Sequence, residues 1–268
     1  LLTLLVEKEE NTMKTDTGAI GVLGGVGPYA GLDLMRKIFD QTKANCDQDH
    51  LSVIQFSLSE HIIDRTRFLL GETDENPGEA IGEIMVRMAN AGATVIGVPC
   101  NTAHSPRIMD QAVAMLHEAA PQVRFVHMID SVIDFIRERL PQARTIGVLS
   151  TKGTYATGLY QDALGKAGFT ALFPDDAGRE RVQQAISNTS YGIKAQSNPV
   201  SPQARADLYA EAEKLVEQGA EAVILGCTEI PLALTEPDVR GVPLLDATNV
   251  LARALIVAFA PDRLKKDA

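Results

Sequence analysis

The strongest constraint on this chain is that it repeats itself. Ile20-Gly21-Val22-Leu23 returns as Ile146-Gly147-Val148-Leu149, Cys100 lies 79 positions after Gly21, and Cys227 lies 80 after Gly147. Each cysteine closes an apolar run introduced by a Gly-Ala pair, Gly92-Ala93 or Gly219-Ala220. Further on, Val126-His127-Met128-Ile129-Asp130 is answered by Pro243-Leu244-Leu245-Asp246. Coincident offsets of this kind imply two related lobes.

The repeating unit is itself informative. Short β-branched runs at Ala19 to Leu23, Leu51 to Phe56, Thr94 to Val98 and Val123 to Val126 alternate with helical spacing of apolar residues over Gly31 to Thr42, Ala80 to Ala91 and Pro106 to Ala119. That alternation predicts βαβ units and parallel sheets covered on both faces. The expected fold is α/β: two pseudo-symmetric three-layer α/β/α lobes with the active site in the cleft between them. Ligands of such lobes bind at the C-terminal ends of the strands, which is where both cysteines fall.

Composition narrows the function. With 25 basic and 35 acidic side chains the net charge is -10, and no basic stretch supplies the footprint that neutralises nucleic-acid phosphates. The apolar start, Leu1 to Val6, is far shorter than the ~20 residues that span a bilayer, and it lacks the basic flank of a signal peptide. Residues 1–16 are expected to be a disordered or non-native extension, with Met13 as a start codon. Three cysteines, Cys46, Cys100 and Cys227, suit free thiols in a reducing cytoplasm.

In Pro99-Cys100-Asn101-Thr102-Ala103-His104-Ser105-Pro106 a strand end runs through a polar turn into a helix start, with Ser105 as expected cap and Pro106 at the first helical position. Gly226-Cys227-Thr228-Glu229-Ile230-Pro231 repeats the plan. A helix start offers free N–H groups and a positive dipole end, which favour an anion and lower a thiol pKa. One buried cysteine at a strand end is more often an inert hydrophobe; two in matched turns suggest a thiolate that takes a proton from one face of a stereocentre and a thiol that returns one to the other. Asn101, Thr102 and Thr228 would stabilise charge developing on a substrate carboxylate. Cys46 has no repeat partner and is expected to be a bystander.

From about residue 18 to its end the chain resembles the aspartate/glutamate racemase superfamily, most nearly the cofactor-independent aspartate racemases. The resemblance rests on the two cysteine motifs and on Gly24-Gly25-Val26-Gly27-Pro28. It implies that Cys100 and Cys227 are the acid/base pair, that Asn101, Thr102 and Ala103 hold the α-carboxylate, and that neither cofactor nor metal is needed. Asp64-Arg65-Thr66 resembles an element whose arginine grips a distal carboxylate, Lys194 resembles a lysine approaching from the other lobe, and Thr151 falls in a loop that touches substrate. His104 and Glu229 would support the thiols. Glutamate racemases carry histidine where this chain has Glu229, which favours interconversion of L- and D-aspartate, with glutamate or a broader set of amino acids as the alternative. Family members are often dimeric. By analogy, residues 17–122 with 243–268 form the first lobe and 123–242 the second.

Two rival readings follow from the residues. Gly25-Val26-Gly27-Pro28-Tyr29-Ala30 formally fits a dinucleotide-binding loop, although Pro28 removes an N–H and Glu60 lies too far downstream for the ribose. Cys100, His104, Cys227 and Glu229 could be drawn as four zinc ligands, although the Cys-x3-His spacing is unusual. An amino-acid binding module without catalysis is a third.

Overall fold

The computed structural model describes residues 18–266; the expected N-terminal extension, residues 1–16, lies outside them. The first lobe contains strands β1 (Ala19–Leu23), β2 (Val53–Phe56), β3 (Ala93–Gly97) and β4 (Arg124–Val126), all parallel, in the order β2-β1-β3-β4. The second contains β5 (Thr145–Ser150), β6 (Thr170–Leu172), β7 (Ala222–Gly226), β8 (Asp238–Val239) and β9 (Val242–Asp246), ordered β6-β5-β7-β9-β8. Among the strands of the described residues, only the short β8 runs antiparallel, against β9. The repeated Ile-Gly-Val-Leu segments are β1 and β5, each flanked by the strand that ends in a cysteine turn.

The helices are α1 (Pro28–Gln41), α2 (Arg65–Leu69), α3 (Pro77–Asn90), α4 (Pro106–Ala119), α5 (Met128–Arg139), α6 (Lys152–Ala156), α7 (Leu159–Lys166), α8 (Asp176–Ser187), α9 (Pro202–Glu217), α10 (Ile230–Ala233) and α11 (Ala247–Phe259). Proline at the first turn starts α1, α3, α4 and α9, where its missing N–H costs nothing. α3 and α4 cover the outer face of the first sheet, burying Ile81, Met85, Met88, Ile108 and Leu116 against Leu23, Ile96 and Val98. α8 and α9 do the same for the second sheet through Val182, Ile186, Leu208 and Leu215. Between the sheets, α1, α5, α7 and α11 share one apolar cluster with Ile20, Val22, Ile146, Val148 and Ile224. Each fully buried aliphatic side chain there contributes about 1.5–3 kcal/mol, so the lobes are joined by a common core.

Sheet membership shifts the expected lobe boundaries by several residues. β4 pairs with β3, so the first sheet runs on past residue 122, and β9 pairs with β7, so the second sheet runs on past residue 242. The C-terminal helix α11 returns to pack on α1 and β3, through contacts such as Leu255 against Gly97. A buried ion network marks that return: Lys37, 8% exposed, lies between Asp33 on its own helix and Asp246, whose other oxygen caps the first N–H groups of α11.

Candidate active site

Both cysteine strands end at the same side of the molecule, and their turns line one narrow cleft. Val26, Asp64, Arg65, Thr66, Cys100, Asn101 and Thr102 come from the first lobe; Thr151, Lys194, Cys227, Thr228 and Glu229 come from the second. Cys100 and Cys227 are 7% and 6% exposed, buried enough to exclude bulk water yet open to the cleft.

The two turns differ in what surrounds the sulfur. The Cys227 thiol donates to Glu229 Oε2 at 2.9 Å, and Thr228 Oγ1 donates to the same oxygen at 3.4 Å. Burial first, and then the Glu229 carboxylate, push the Cys227 thiol well above its ordinary range, with Lys194 pulling the other way. The expected lowering by a helix start is therefore overturned at Cys227. α10 has only four residues, and its dipole is outweighed by desolvation and a carboxylate in direct contact. Cys100 instead stands beside Arg65, whose guanidinium is pinned by Val26 O at 2.6 Å and Ile63 O at 3.1 Å while its buried Nε has no partner. Burial opposes the charge of Arg65, but Cys100 and Asp64 outweigh it and raise its pKa.

At the mouth, Lys194 from the loop after α8 faces Asp64 at 3.8 Å. Partial burial works against the ammonium, and Glu229 and Cys227 raise its pKa nonetheless. Asp64 caps α2 through the Arg67 N–H at 3.0 Å. Burial opposes its ionisation, while that bond, Lys194 and Arg65 bring its pKa below the usual value. Across the floor, Thr102 Oγ1 lies 3.1 Å from Thr151 Oγ1 and 2.8 Å from Thr154 Oγ1, a hydroxyl cluster joining the lobes. Asn101 Oδ1 accepts from Tyr160 at 2.6 Å, and its buried Nδ2 has no partner.

A model of the Asp/Glu/hydantoin racemase family matches residues 23–255. The chain belongs to that family. The broad specificity amino-acid racemase RacX of Bacillus subtilis is 25% identical over 245 residues, covering 90% of this chain and 97% of the relative. A glutamate racemase of Pseudomonas aeruginosa is 29% identical over 255 residues, covering 91% and 82%. Among solved structures, the Picrophilus torridus aspartate racemase superposes with a TM-score of 0.76 at 27% identity over 93% of this chain and 97% of that one.

In this member of the Asp/Glu/hydantoin racemase family, the fold brings Arg65, Cys100, Asn101, Thr102, Thr151, Lys194, Cys227, Thr228 and Glu229 to one cleft. Ala103 and His104 are not among the lining residues: Ala103 is fully buried in the apolar cluster of the first lobe. His104 turns away, bonding Val98 O at 3.1 Å, stacking on Phe125 and meeting His127 edge to face. Burial, then the neighbouring His127, lower its pKa to about 3. It is thus a neutral core residue, and the four-ligand zinc arrangement that needs it is not formed. Ser105 occupies the expected cap position, but its hydroxyl makes no capping bond.

The glycines of the first loop are required by close packing. A Cβ on Gly25 would stand 2.7 Å from Leu58 N, one on Gly31 2.6 Å from Gly24 Cα, and one on Gly27 2.7 Å from Glu229 Oε1. Motif reading missed Thr154 and Tyr160. Thr154 sits three residues after Thr151 and was recoverable as its capping partner; nothing in the sequence distinguishes Tyr160 from any tyrosine on a helix. Cys46 is exposed and is not among the residues that line the cleft. None of the described helices is long and apolar enough to cross a membrane.

Proposed function

We propose that this chain is an amino-acid racemase that interconverts L- and D-aspartate by a two-thiol mechanism. The observation that carries the reading is that Cys100 and Cys227, one from each copy of the repeat, line a single cleft. One sulfur, as thiolate, takes the Cα proton and becomes a thiol; the electron pair left on the substrate is delocalised into its carboxylate; the other sulfur delivers its proton to the opposite face and is left as thiolate, ready for the reverse turnover.

Asn101, Thr102 and Thr228, with the N–H groups of their turns, are assigned to the α-carboxylate, where charge grows in the transition state. The hydrogen bond from Cys227 to Glu229 holds that sulfur protonated at rest and gives its proton a nearby acceptor. Arg65, held rigid by two backbone carbonyls with donors still free, suits the distal carboxylate of aspartate through its planar fork. Lys194, at the mouth, adds a second positive charge from the other lobe.

Incubation of L-aspartate with the protein, followed by chiral chromatography, tests this directly. D-aspartate is expected to accumulate to equal amounts, Cys100→Ser and Cys227→Ser each to abolish the conversion nearly completely, and Cys46→Ser to leave it unchanged. In deuterated water early product should carry deuterium at Cα while recovered substrate stays mostly protonated. Equal labelling of both would mean one base rather than two, and binding without conversion would leave a non-catalytic amino-acid module.

A further inference from the structure

The two halves of the repeat are not equivalent beneath the cleft. Thirteen positions after Gly21 the first lobe places Leu34; thirteen after Gly147 the second places Tyr160. Both are buried, at 0% and 1% exposure. A leucine is indifferent to that environment, but a hydroxyl so deeply buried destabilises the fold unless it is bonded. Tyr160 finds its partner in the other lobe, donating to Asn101 Oδ1 at 2.6 Å. Its ring lies against Gly226, where an added Cβ would stand 3.1 Å from Tyr160 Cε2. One side chain therefore touches both the residue after Cys100 and the residue before Cys227.

The consequence falls on the Asn101 amide. A carboxamide can turn over about its last torsion, exchanging an acceptor for a donor with almost no change in shape. Turned one way it offers a carboxylate an N–H; turned the other it offers an oxygen that repels it. Asn101 is 2% exposed, and its Nδ2 is buried without a protein partner in a residue that lines the cleft. Since the phenol bonds Oδ1, only Nδ2 is left for the cleft. Burial, and then Cys227, keep the Tyr160 hydroxyl protonated through the neutral range, so it remains a donor.

We propose that Tyr160 is a positioning residue that locks the Asn101 amide with Nδ2 turned toward the α-carboxylate of the bound amino acid. This rests on the racemase reading for the identity of the ligand. It assigns the locked-amide part of the carboxylate grip to the Cys100 side, since the first lobe supplies only Leu34 at the position matching Tyr160.

A double-mutant cycle in the full chain tests it, with aspartate binding followed by calorimetry and racemisation by chiral chromatography. Tyr160→Phe keeps the ring and removes only the lock; it is expected to raise both the aspartate Kd and KM by about tenfold, the worth of one charge-oriented hydrogen bond. In an Asn101→Ala background the same change should add less than about twofold, because a residue acting through Asn101 has nothing left to act on. Full multiplication of the two effects, or a Tyr160→Phe Kd equal to that of the parent, overturns the inference.

Asn101→Asp provides an independent arm, since it retains the bond from Tyr160 yet presents an oxygen where Nδ2 stood. It should bind aspartate more weakly than Asn101→Ala, and equal or tighter binding would again overturn the lock. A parent protein that binds aspartate without racemising it removes the racemase reading while the binding cycle still decides Tyr160. One that racemises with independent effects removes only Tyr160, and one that does neither removes both.

Discussion

Gly27 and Glu229 stand on opposite lobes and share one space: a Cβ on Gly27 would lie 2.7 Å from Glu229 Oε1, while Oε2 of the same carboxylate accepts from Cys227. The backbone of Gly27 is extended, with φ -179, so the glycine is required by room and not by conformation. Gly27→Ala should therefore leave the fold intact, at a cost of about 1–3 kcal/mol for the crowding. The carboxylate, as the movable end of its side chain, would be displaced from the thiol. We expect kcat to fall on the order of tenfold or more, as for other small misplacements in an active site. Steady-state kinetics beside a thermal melt check this, and a stable variant with unchanged kcat would show that the Glu229 contact does not matter to turnover.

Cys227 should resist ionisation while Glu229 is present. Burial and the adjacent carboxylate raise its pKa well above the ordinary thiol range, and only the thiolate reacts with iodoacetamide. Glu229→Gln removes the second of those two causes and leaves the first. The pH midpoint for alkylation of Cys227, followed by peptide mass spectrometry, is expected to move down, with the rate at pH 8 rising severalfold. An unmoved midpoint would mean that burial alone holds the proton.

His104 should make the protein sensitive to mild acid. In the folded state its pKa is lowered from the ordinary 6.5 to about 3, so the unfolded chain takes up a proton that the native one refuses. The stability this represents is fully present above pH 6.5 and is lost progressively as pH falls toward 3, on the order of 4–5 kcal/mol in all. Urea midpoints measured at pH 7 and pH 4.5 should diverge for the parent and converge in His104→Leu. Equal acid sensitivity in both would place the effect on other groups.

Arg65 should separate substrates by their side chains. Loss of a charge-assisted contact to a distal carboxylate is worth about 1.5–3 kcal/mol, so Arg65→Ala is expected to lower kcat/KM for aspartate by roughly ten- to a hundredfold. Alanine, which has no second carboxylate, should lose much less. A proportionate loss for both would assign Arg65 to its bonds with Val26 and Ile63, which hold the loop, rather than to selection.

Much of the architecture is written in local signals. The duplicated Ile-Gly-Val-Leu segments appear as the matched strands β1 and β5, and the paired Cys motifs appear at the ends of β3 and β7, because strand periodicity and turn chemistry act over a few residues. The same short range explains why Asn101, Thr102 and Thr228 could be named from their own turns, whereas Arg65 and Thr151 were named only through the family resemblance. His104, one turn beyond Cys100, shows the limit, since its side chain was free to point to the cleft or to the core and packing against Phe125 and His127 chose the core.

Linear order alone thus specified two parallel-sheet lobes and which turns would meet, since hydrophobic spacing, prolines and glycines bias the backbone wherever they stand. Assembly decided the electrostatics. Whether a thiol is held protonated and whether an imidazole can take a charge depend first on depth from water, and which way an amide faces depends on a group 59 residues away, as Tyr160 and Asn101 illustrate. Those neighbours exist only once both lobes have closed on a common core, because Coulombic and desolvation energies are set by distances in space and not by positions along the chain.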